Sequence, residues 1–500
     1  KLRNGKLKEE VVLMDRLDND GIRLPIKIDS TSNGEYEPIP ITTRNEQGNK
    51  LALDWATKNS RRLGKSRRKF LISSCGAASS LLALNHANAY HNRRGGFFDV
   101  RDESAIDNHS ANAQVGGNEF IFDVQGHYVN PEGDWLSRIP SSARPYAGME
   151  KAACEAANSG ASRAYLNCLS ESEFIKDIFL DSDTDIMVLS FVPSTRENEP
   201  VTIEDADQTR RIVAELEGSK RLMIHGRVNP NQDGDLEGMD ELAENWDISA
   251  FKTYTQYGPG GRGFFLHEDP GLAMIERAGR LGVRNICVHK GLPFGPQSYE
   301  HSQSSDIGIV AKQYPNMNFL IYHSSFVGSV EEQEFSEGSG RDGIDTLIQS
   351  LIDNGIAPNS NVYAELGSTW RFLMRDPNNA AHSLGKLFKY VGENNVLWGT
   401  DSIWYGSPQD QIQAFRTFQI SEEFQDRYGY PEITTELRRK VFGINAALPY
   451  GIEASEIRAL TSADDLVSME KLAYQEDPQP SFLTYGPKTR REFINLLKWG

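Results

Sequence analysis

The sequence predicts an α/β protein built as a closed (β/α)8 barrel, and three observations support this fold class. Eight short apolar runs recur between residues 120 and 402. Longer stretches lie between them, with apolar residues at the three- and four-residue spacing of amphipathic helices. Strands that alternate with helices pair in parallel through crossovers, and eight such units are the number that closes a barrel. A doubly wound open sheet is the alternative that the same alternation allows.

The eight predicted strands are short and rich in β-branched or aromatic residues. In chain order they are FIFDVQGH (120–127), DIMVLSFVP (185–193), KRLMIHGRVNP (220–230), WDISAFKTYT (246–255), VRNICVHKG (283–291), MNFLIYHSS (317–325), NVYAELGS (361–368) and NNVLWGTDS (394–402). Helices are predicted over residues 202–218, 269–282, 343–355 and 378–393. Thr202 and Asp269 are placed as caps at helix starts, and Gly218, Gly282 and Gly355 as stops.

Two features bound the predicted barrel. The crossover after strand one, residues 129–183, is longer than one helix needs, so we expect an insertion there. A closing helix is predicted over residues 434–452. The barrel is therefore expected to span residues 120–452, with residues 453–500 as a C-terminal extension.

The N-terminal part resembles a twin-arginine export signal over residues 66–89. Arg67 and Arg68 precede a mildly apolar run that ends on Ala87-Asn88-Ala89, an A-x-A cleavage pattern. Residues 1–89 carry 16 Lys and Arg against 10 Asp and Glu, whereas the remainder carries 37 against 60. We expect residues 1–65 to be a polar, disordered extension and residues 90–119 to be a linker. The signal implies the export machinery as a partner and a periplasmic location in a bacterium; a basic amphipathic helix of a cytoplasmic protein is the alternative.

Composition excludes some partners. A net charge of −17 argues against nucleic acid or an anionic membrane surface, because both require a basic face. No stretch approaches eighteen uninterrupted apolar residues, so no stable membrane span is expected. The expected ligand is a small molecule, and the outer helices of such a barrel allow a homodimer. Cys154 and Cys168 could form a disulfide in an oxidising compartment.

Polar residues gather at the ends of the predicted strands, where the active sites of such barrels lie. The strand ends carry Asp123, Gln125, His127, Lys252, His289, Lys290, His323, Glu365 and Asp401. A lone histidine after an apolar run is more often a hydrogen-bonded core residue than a ligand. The joint occurrence of three histidines and Asp401 favours a metal site. Imidazole and carboxylate suit Zn²⁺ best, with Mn²⁺, Fe²⁺ or Co²⁺ as alternatives.

These strand ends, together with LWGTDSIWYGSP (397–408), resemble the amidohydrolase-related family of metal-dependent TIM-barrel hydrolases. This branch also contains the aminocarboxymuconate-semialdehyde and resorcylate decarboxylases. The resemblance implies that His127 and His289 bind the metal and that Asp401 binds the metal or holds its water. It makes His323 a second metal ligand or the acid/base. Gln125 departs from the family, which usually has histidine or glutamate there, so a weak ligand or a hydrogen-bond donor to bound water is expected.

The resulting expectation is a mononuclear metal-dependent hydrolase in which Asp401 or His323 moves the proton. A non-oxidative decarboxylase on the same site is one alternative, and a metal-poor binding protein that has lost hydrolysis is another. Lys252 leaves three roles open. In binuclear relatives a lysine on strand four is carboxylated and bridges two metals. Otherwise Lys252 pairs with Glu365 or Asp401, or binds an anionic group of the substrate.

Overall fold

Eight parallel strands in chain order form the central sheet of the computed structural model. The structure describes residues 24–141, 145, 163–217, 221–293, 297–453, 456, 472–476, 478–480 and 482–497. The strands are β1 Phe122–Gly126, β2 Ile186–Leu189, β3 Leu222–Arg227, β4 Ala250–Tyr254, β5 Asn285–His289, β6 Asn318–Tyr322, β7 Val362–Glu365 and β8 Val396–Leu397. Each pairs with its chain neighbours, and all eight fall inside the predicted runs.

The chain that follows β8 closes the barrel against β1. Gly126 forms a parallel bridge with Ser402. The Asp401 amide donates to the Gln125 carbonyl at 3.0 Å, and the His127 amide donates to the Ser402 carbonyl at 2.5 Å. The predicted (β/α)8 barrel is therefore confirmed, and this seam sets the ends of β1 and β8 side by side.

The helices surround this sheet and also precede and follow it. They are α1 Thr43–Arg62, α2 Arg67–Leu71, α3 Ser74–Tyr90, α4 Asn108–Val115, α5 Trp135–Arg138, α6 Glu171–Ile175, α7 Ile203–Glu217, α8 Met239–Asn245, α9 Asp269–Leu281, α10 Ile307–Gln313, α11 Ile344–Asn354, α12 Thr369–Leu373, α13 Pro377–Lys386, α14 Gln409–Thr417, α15 Glu422–Tyr428, α16 Thr435–Arg439, α17 Asn445–Ala447 and α18 Arg490–Leu497. The predicted insertion between β1 and β2 contains α5 and α6 in its described part.

Most predicted helix ends match the observed ones, but the predicted cap Asp269 is the first helical residue of α9, and Glu268 is the N-cap without a side-chain hydrogen bond. At the start of α7, Thr202 accepts from the Asp205 amide at 3.2 Å, while Asp205 accepts from the Thr202 amide at 3.0 Å. This reciprocal pair is a capping box that satisfies two amides at the helix start. Gly282 and Gly355 end α9 and α11 in the left-handed conformation that glycine adopts without strain. Gly218 lies outside the described residues.

The barrel interior is filled by side chains that seven of the eight strands contribute. This cluster includes Phe122, Val124, Ile186, Val188, Ala250, Cys287, Leu320, Tyr322, Tyr363 and Leu397. A larger apolar cluster lies between the strands and the outer helices. The barrel is therefore a packed core, and the predicted site residues lie above these layers.

The expected disorder of residues 1–65 is wrong for the part that the structure describes. From Leu24 onward the chain is folded: Leu24, Ile26 and Ile28 are buried, and α1 packs against α3. Helix α1 begins with a capping box at Thr42. The polar composition hid this helix because its buried face consists of small residues, such as Gly48, Ala52 and Ala56, rather than large apolar ones.

Residues 66–119 also belong to the folded body. The apolar run of the predicted signal forms α2 and α3, with Phe70, Cys75 and Leu81 fully buried. The expected linker contains the strand Gly96–Phe98, which pairs antiparallel with Phe418–Ile420, and helix α4. The twin-arginine signal stays a prediction from sequence, but its segment is not structurally separate from the barrel.

The C-terminal extension contacts the barrel near the ends of the strands. The Tyr485 amide donates to the Trp404 carbonyl at 2.6 Å, and the Ser32 amide donates to the Pro487 carbonyl at 2.8 Å. Cys168 is disulfide-bonded, whereas Cys154 lies outside the described residues. Within the described part of the chain, no helix combines the length and apolar character needed to cross a membrane.

Candidate active site

The predicted site residues converge at the carboxyl ends of the barrel strands. Gln125 lies in β1 and His127 follows it, Lys252 lies in β4, and His289 ends β5. His323 and Asp401 come directly after β6 and β8. All six are buried, with exposed fractions between 0% and 2%. The structure thus brings together side chains that are up to 276 residues apart in the chain, as the Gln125–Asp401 contact shows.

Each of the three site histidines directs one ring nitrogen to a backbone carbonyl. His127 Nδ1 donates to the Ser190 carbonyl at 2.9 Å, and His323 Nδ1 donates to the Gly367 carbonyl at 2.7 Å. His289 Nε2 lies 3.4 Å from the Leu292 carbonyl. A carbonyl only accepts, so these nitrogens carry the hydrogen, and the other nitrogen of each ring presents its lone pair. This is the arrangement in which metal-binding histidines are held.

On one side of the site, His127 and Asp401 form a direct pair. His127 Nε2 lies 3.1 Å from Asp401 Oδ1. The Gln125 amide nitrogen donates to the same oxygen at 3.2 Å and lies 3.4 Å from His127 Nε2. Asp401 Oδ2 accepts from Ser368 at 2.5 Å and from Asn33 at 2.7 Å. Gln125 therefore donates a hydrogen bond to Asp401, and its two expected roles, weak metal ligand or donor to bound water, stay predictions.

On the other side, Glu35 lies between His289 and His323. Its Oε1 is 3.2 Å from His289 Nδ1, and its Oε2 is 3.4 Å from His323 Nε2. One ligand atom from each of these three buried residues lies within 4.8 Å of the others, a spacing compatible with one metal ion. Asn33 joins the two sides, because its amide nitrogen contacts Glu35 Oε2 at 2.5 Å as well as Asp401.

Lys252 is buried beneath these groups and forms no ion pair with a carboxylate in the described part of the chain. Its Nζ has no hydrogen-bond partner among the described residues and lies 3.4 Å from the centre of the Tyr322 ring. The alternative that pairs it with Glu365 is wrong, because Glu365 instead accepts from the amides of His323 at 2.9 Å and Gly367 at 2.5 Å. A buried amino group without a hydrogen-bond partner among the described residues is available to an anionic group.

The backbone at the strand ends adopts conformations that are uncommon outside glycine. His323, Ser324, Ser325, Ser368 and Asp401 all have positive φ, between 50° and 64°. Such residues are retained where the surrounding structure over-determines them, and they cluster at functional sites. The turns aim His323 and Asp401 into the mouth of the barrel instead of continuing the pleat of the strand.

Burial and neighbouring charges shift the pKa values of the site groups in opposite directions. Burial alone would raise the pKa of Asp401, but the hydrogen bond and charge of His127, with His323, lower it below its usual value. Burial would likewise raise the pKa of Glu35, and His289 and His323 lower it. Burial and nearby His289 lower the pKa of His323 to about 4. Burial lowers the pKa of Lys252 to about 8.

The residues present fit a divalent transition metal. Three imidazole nitrogens and two carboxylates converge, and His323 Nε2 has no hydrogen-bond partner among the described residues. Zinc takes buried ligands of this kind, in which one imidazole nitrogen faces the ion and the other nitrogen of the ring is held by a carbonyl. The set predicted from sequence, His127, His289 and Asp401 with Gln125, stays a prediction, since the most compact group combines His289 with His323 and Glu35.

Sequence reasoning missed Asn33 and Glu35. Both lie in SNGEYE (32–37), within the stretch expected to be disordered, and outside the strand-and-helix repeat. The Asn-Gly pair is a turn signal, and Gly34 indeed has φ +93°. A turn signal alone does not indicate that two polar side chains enter a barrel 90 residues further along the chain, so the contact emerges only from the tertiary structure.

Comparison with known proteins gives one family match. A family model described as Amidohydrolase matches residues 177–452, more than half of the chain. The match includes His289, His323 and Asp401 and begins after β1, so Gln125, His127 and Glu35 lie outside it. No curated protein matches the chain.

Solved structures that resemble the chain do so distantly. The 2,6-dihydroxybenzoate decarboxylase from Rhizobium is 12% identical over 67% of this chain and 99% of that chain, with a TM-score of 0.36. A zinc-bound amidohydrolase from Burkholderia multivorans is 11% identical over 67% and 100%, with a TM-score of 0.40. A uronate isomerase from Bacillus halodurans is 11% identical over 70% and 97%, also with a TM-score of 0.40. At this distance the three structures say nothing about the reaction.

Proposed function

Because the chain belongs to the amidohydrolase family, we propose that it is a metal-dependent hydrolase that cleaves an amide, ester, lactone or similar bond of a small molecule. The observation that carries this proposal is the common geometry of His127, His289 and His323. Each ring has one nitrogen on a carbonyl and the other in a buried cluster that contains Asp401. A packing role would not require three imidazoles held in this one way.

One divalent ion would be held by ligands from among His127, His289, His323 and Asp401, with one position left open for water, and zinc is the ion that these ligand atoms favour. Bound there, the ion would lower the pKa of a water molecule toward neutrality and polarise the carbonyl of the substrate. The chain's own contribution is to keep the three imidazole rings in one orientation, through hydrogen bonds to the carbonyls of Ser190, Leu292 and Gly367.

Asp401 is the group proposed to accept the proton of the attacking water. Its carboxylate stays ionised, and three hydrogen-bond donors fix its plane: Gln125 on Oδ1, and Asn33 and Ser368 on Oδ2. Asp401 can then return this proton to the leaving group. The strand-end turn holds Asp401, which limits its motion during the reaction.

Lys252 is proposed to bind an anionic group of the substrate. Its buried Nζ has no hydrogen-bond partner among the described residues. The negative charges of Glu35, Glu365 and Asp401 raise the pKa of Lys252, but by less than burial lowers it. This observation also favours a second function, non-oxidative decarboxylation, since an acid substrate would bring its own carboxylate to Lys252. Hydrolysis of an anionic ester or amide satisfies the same lysine.

The test begins with elemental analysis of the full-length protein and of a variant with both His289→Ala and Asp401→Ala. We expect about one equivalent of a transition metal in the parent, on the ligand count of such sites, and its loss in the variant. His91→Ala, at an exposed histidine, is the matched control and should keep the metal. A panel of esters, amides and lactones is then assayed beside aromatic and unsaturated acids.

The outcomes separate the two candidates. Hydrolysis products that disappear with the metal support the hydrolase. Carbon dioxide release without hydrolysis would transfer the proposal to decarboxylation. Absence of metal from the parent, even after incubation with Zn²⁺, would overturn both candidates and indicate a binding protein on the same fold.

A further inference from the structure

We propose that Glu35, which lies outside the barrel, is a ligand of the same metal ion, and that the N-terminal segment 24–41 is a permanent part of the active site. The inference rests on the proposed function, because it requires a metal. It adds a ligand that no barrel strand supplies. It also means that the working enzyme keeps residues upstream of the predicted cleavage position at Ala89.

The distances around Glu35 match those between ligands of one ion. Glu35 Oε1 and Oε2 lie 3.2 Å and 3.4 Å from nitrogens of His289 and His323. Ligand atoms about 2.1 Å from a tetrahedral zinc ion lie about 3.4 Å from each other. Two imidazoles and one carboxylate are also a donor set that catalytic zinc sites use, with a fourth position left for water or substrate.

The unused hydrogen-bonding capacity of the cluster supports a ligand there. His323 Nε2 faces Glu35 but has no hydrogen-bond partner among the described residues, although it is fully buried. Its other nitrogen already donates to the Gly367 carbonyl, so Nε2 presents a lone pair toward a carboxylate that has only lone pairs. A cation between the two removes this conflict.

Local structure aims Glu35 at this position. Gly34 turns the chain with φ +93°, a conformation that side chains other than glycine rarely adopt. The Glu35 amide donates to Asn33 Oδ1 at 2.9 Å, and the Gly34 amide donates to Ser32 Oγ at 2.9 Å. Asn33 then donates to both Glu35 and Asp401. Asn33 is therefore a positioning residue that fixes the two carboxylates relative to each other.

The segment that carries Glu35 is held firmly on the barrel. Asp29 pairs with Arg371 at 2.8 Å, and both side chains are buried. Lys27 Nζ donates to the Ser407 carbonyl at 2.7 Å and lies 3.4 Å from Asp410. Contacts of buried, paired charges are costly to break, so the segment is not a lid that opens easily. Glu35 is thus a resident group of the site.

Permanent attachment has a consequence for processing of the chain. Cleavage after Ala89 would remove Glu35 and Asn33 together with helices α1 to α3. It would also expose the apolar faces that Phe70 and Leu81 cover. If the chain is exported through its predicted twin-arginine segment, we infer that the segment is retained instead of cut.

The experiment measures zinc affinity of the full-length protein by competition with a chromophoric chelator. Glu35→Gln should weaken zinc binding by about 100-fold, because loss of even a partner one step removed from an ion costs about 10- to 100-fold in affinity. Glu37→Gln, two residues on and half-exposed, is the matched control and should bind like the parent. In the Co²⁺-substituted protein, Glu35→Gln should change the visible absorption spectrum, which a purely structural role of Glu35 would leave unaltered.

The outcomes distinguish this inference from the proposed function. If Glu35→Gln keeps the zinc affinity and cobalt spectrum of the parent while His289→Ala loses them, the inference is overturned and the proposed function stands. If the parent binds no zinc, the proposed function itself fails. Thermal unfolding in the presence of a chelator checks that Glu35→Gln is folded. Intact mass of the protein from a bacterium with twin-arginine export gives a second test, since a metal-loaded chain that begins at Tyr90 would contradict retention.

Discussion

The ion pair between Asp29 and Arg371 predicts how strongly the N-terminal segment is attached to the barrel. The two side chains are 1% and 3% exposed, and Arg371 Nη2 donates to Asp29 Oδ1 at 2.8 Å. The other two guanidinium nitrogens, Nε and Nη1, have no hydrogen-bond partner among the described residues. Asp29→Asn would therefore leave a buried cation without its carboxylate. Loss of one partner of a buried pair costs about 3–5 kcal/mol.

The assay is urea-induced unfolding followed by tryptophan fluorescence, with the free energy of unfolding taken from the midpoint and slope. Arg371→Met is the second single variant of a double-mutant cycle. It is suitable because Asp29 still accepts hydrogen bonds from the Thr31 amide and the Thr484 hydroxyl when Arg371 is absent. The double variant should be less destabilised than the sum of the single variants by about 1–3 kcal/mol, as expected for directly coupled residues.

The pH dependence of this effect has a definite sign. Burial would raise the pKa of Asp29, but Arg371 and Lys488, together with the donors from Thr484 and Thr31, lower it below its usual value. A carboxyl whose pKa is lowered on folding stabilises the protein above its unfolded pKa and loses this contribution as the pH falls through its folded pKa. The cost of Asp29→Asn should thus be full at pH 7 and shrink on acidification below about pH 4.

Two results would refute this reasoning. An Asp29→Asn cost below about 1 kcal/mol, the usual size for an exposed ion pair, would show that the pair does not hold the segment. Strict additivity in the cycle would show that the two residues act separately. In the first case this pair would not keep Glu35 resident in the site, and in the second case contacts other than this pair would hold the segment.

Three further predictions concern single buried polar residues. Burial raises the pKa of Asp177 to about 7, so the folded state retains a proton that the unfolded state loses. Asp177→Asn should therefore raise the free energy of unfolding at pH 8 by up to about 4 kcal/mol but not at pH 4, with exposed Glu215→Gln as the control. Gln125→Glu should enlarge the rise in melting temperature on zinc addition, because it sets a second carboxylate beside Asp401; an unchanged rise would contradict this. Lys252→Met should raise the free energy of unfolding by about 1–3 kcal/mol and raise KM for anionic substrates only; equal effects on neutral substrates would exclude the proposed role.

The barrel could be predicted because its sequence repeats one physical pattern eight times. Each strand is an apolar run short enough to cross one barrel wall, and stops such as Gly282 and Gly355 separate it from a helix. The ends of parallel strands must meet on one side, so the polar residues after each run were expected to converge. His127, His289, His323 and Asp401 are predictable on this ground alone, from position in the repeat rather than from any one residue.

Where each side chain points could not be predicted to the same degree. Strand alternation placed Gln125 and His127 on one face, and their shared contact with Asp401 agrees with this. It could not assign the Gln125 amide as a donor, because that depends on Asp401 reaching β1 across the barrel seam. The missing Lys252–Glu365 pair has the same origin: the amides after β6 and β7 satisfy Glu365 first, through turns that sequence spacing does not reveal.

The N-terminal segment shows why amino-acid composition does not predict folding in a segment that packs through small and charged side chains. A polar, net-basic stretch is predicted to be disordered, since it carries too little apolar surface to fold by itself. Here the barrel supplies that surface, and the charges of Lys27 and Asp29 are paired with residues more than 300 positions away. A segment of this kind folds only as part of the completed barrel. Its contribution to the site, Glu35 between two histidines, is therefore a property of the whole chain, and variants that loosen Asp29 should weaken zinc binding even though Asp29 touches no ligand.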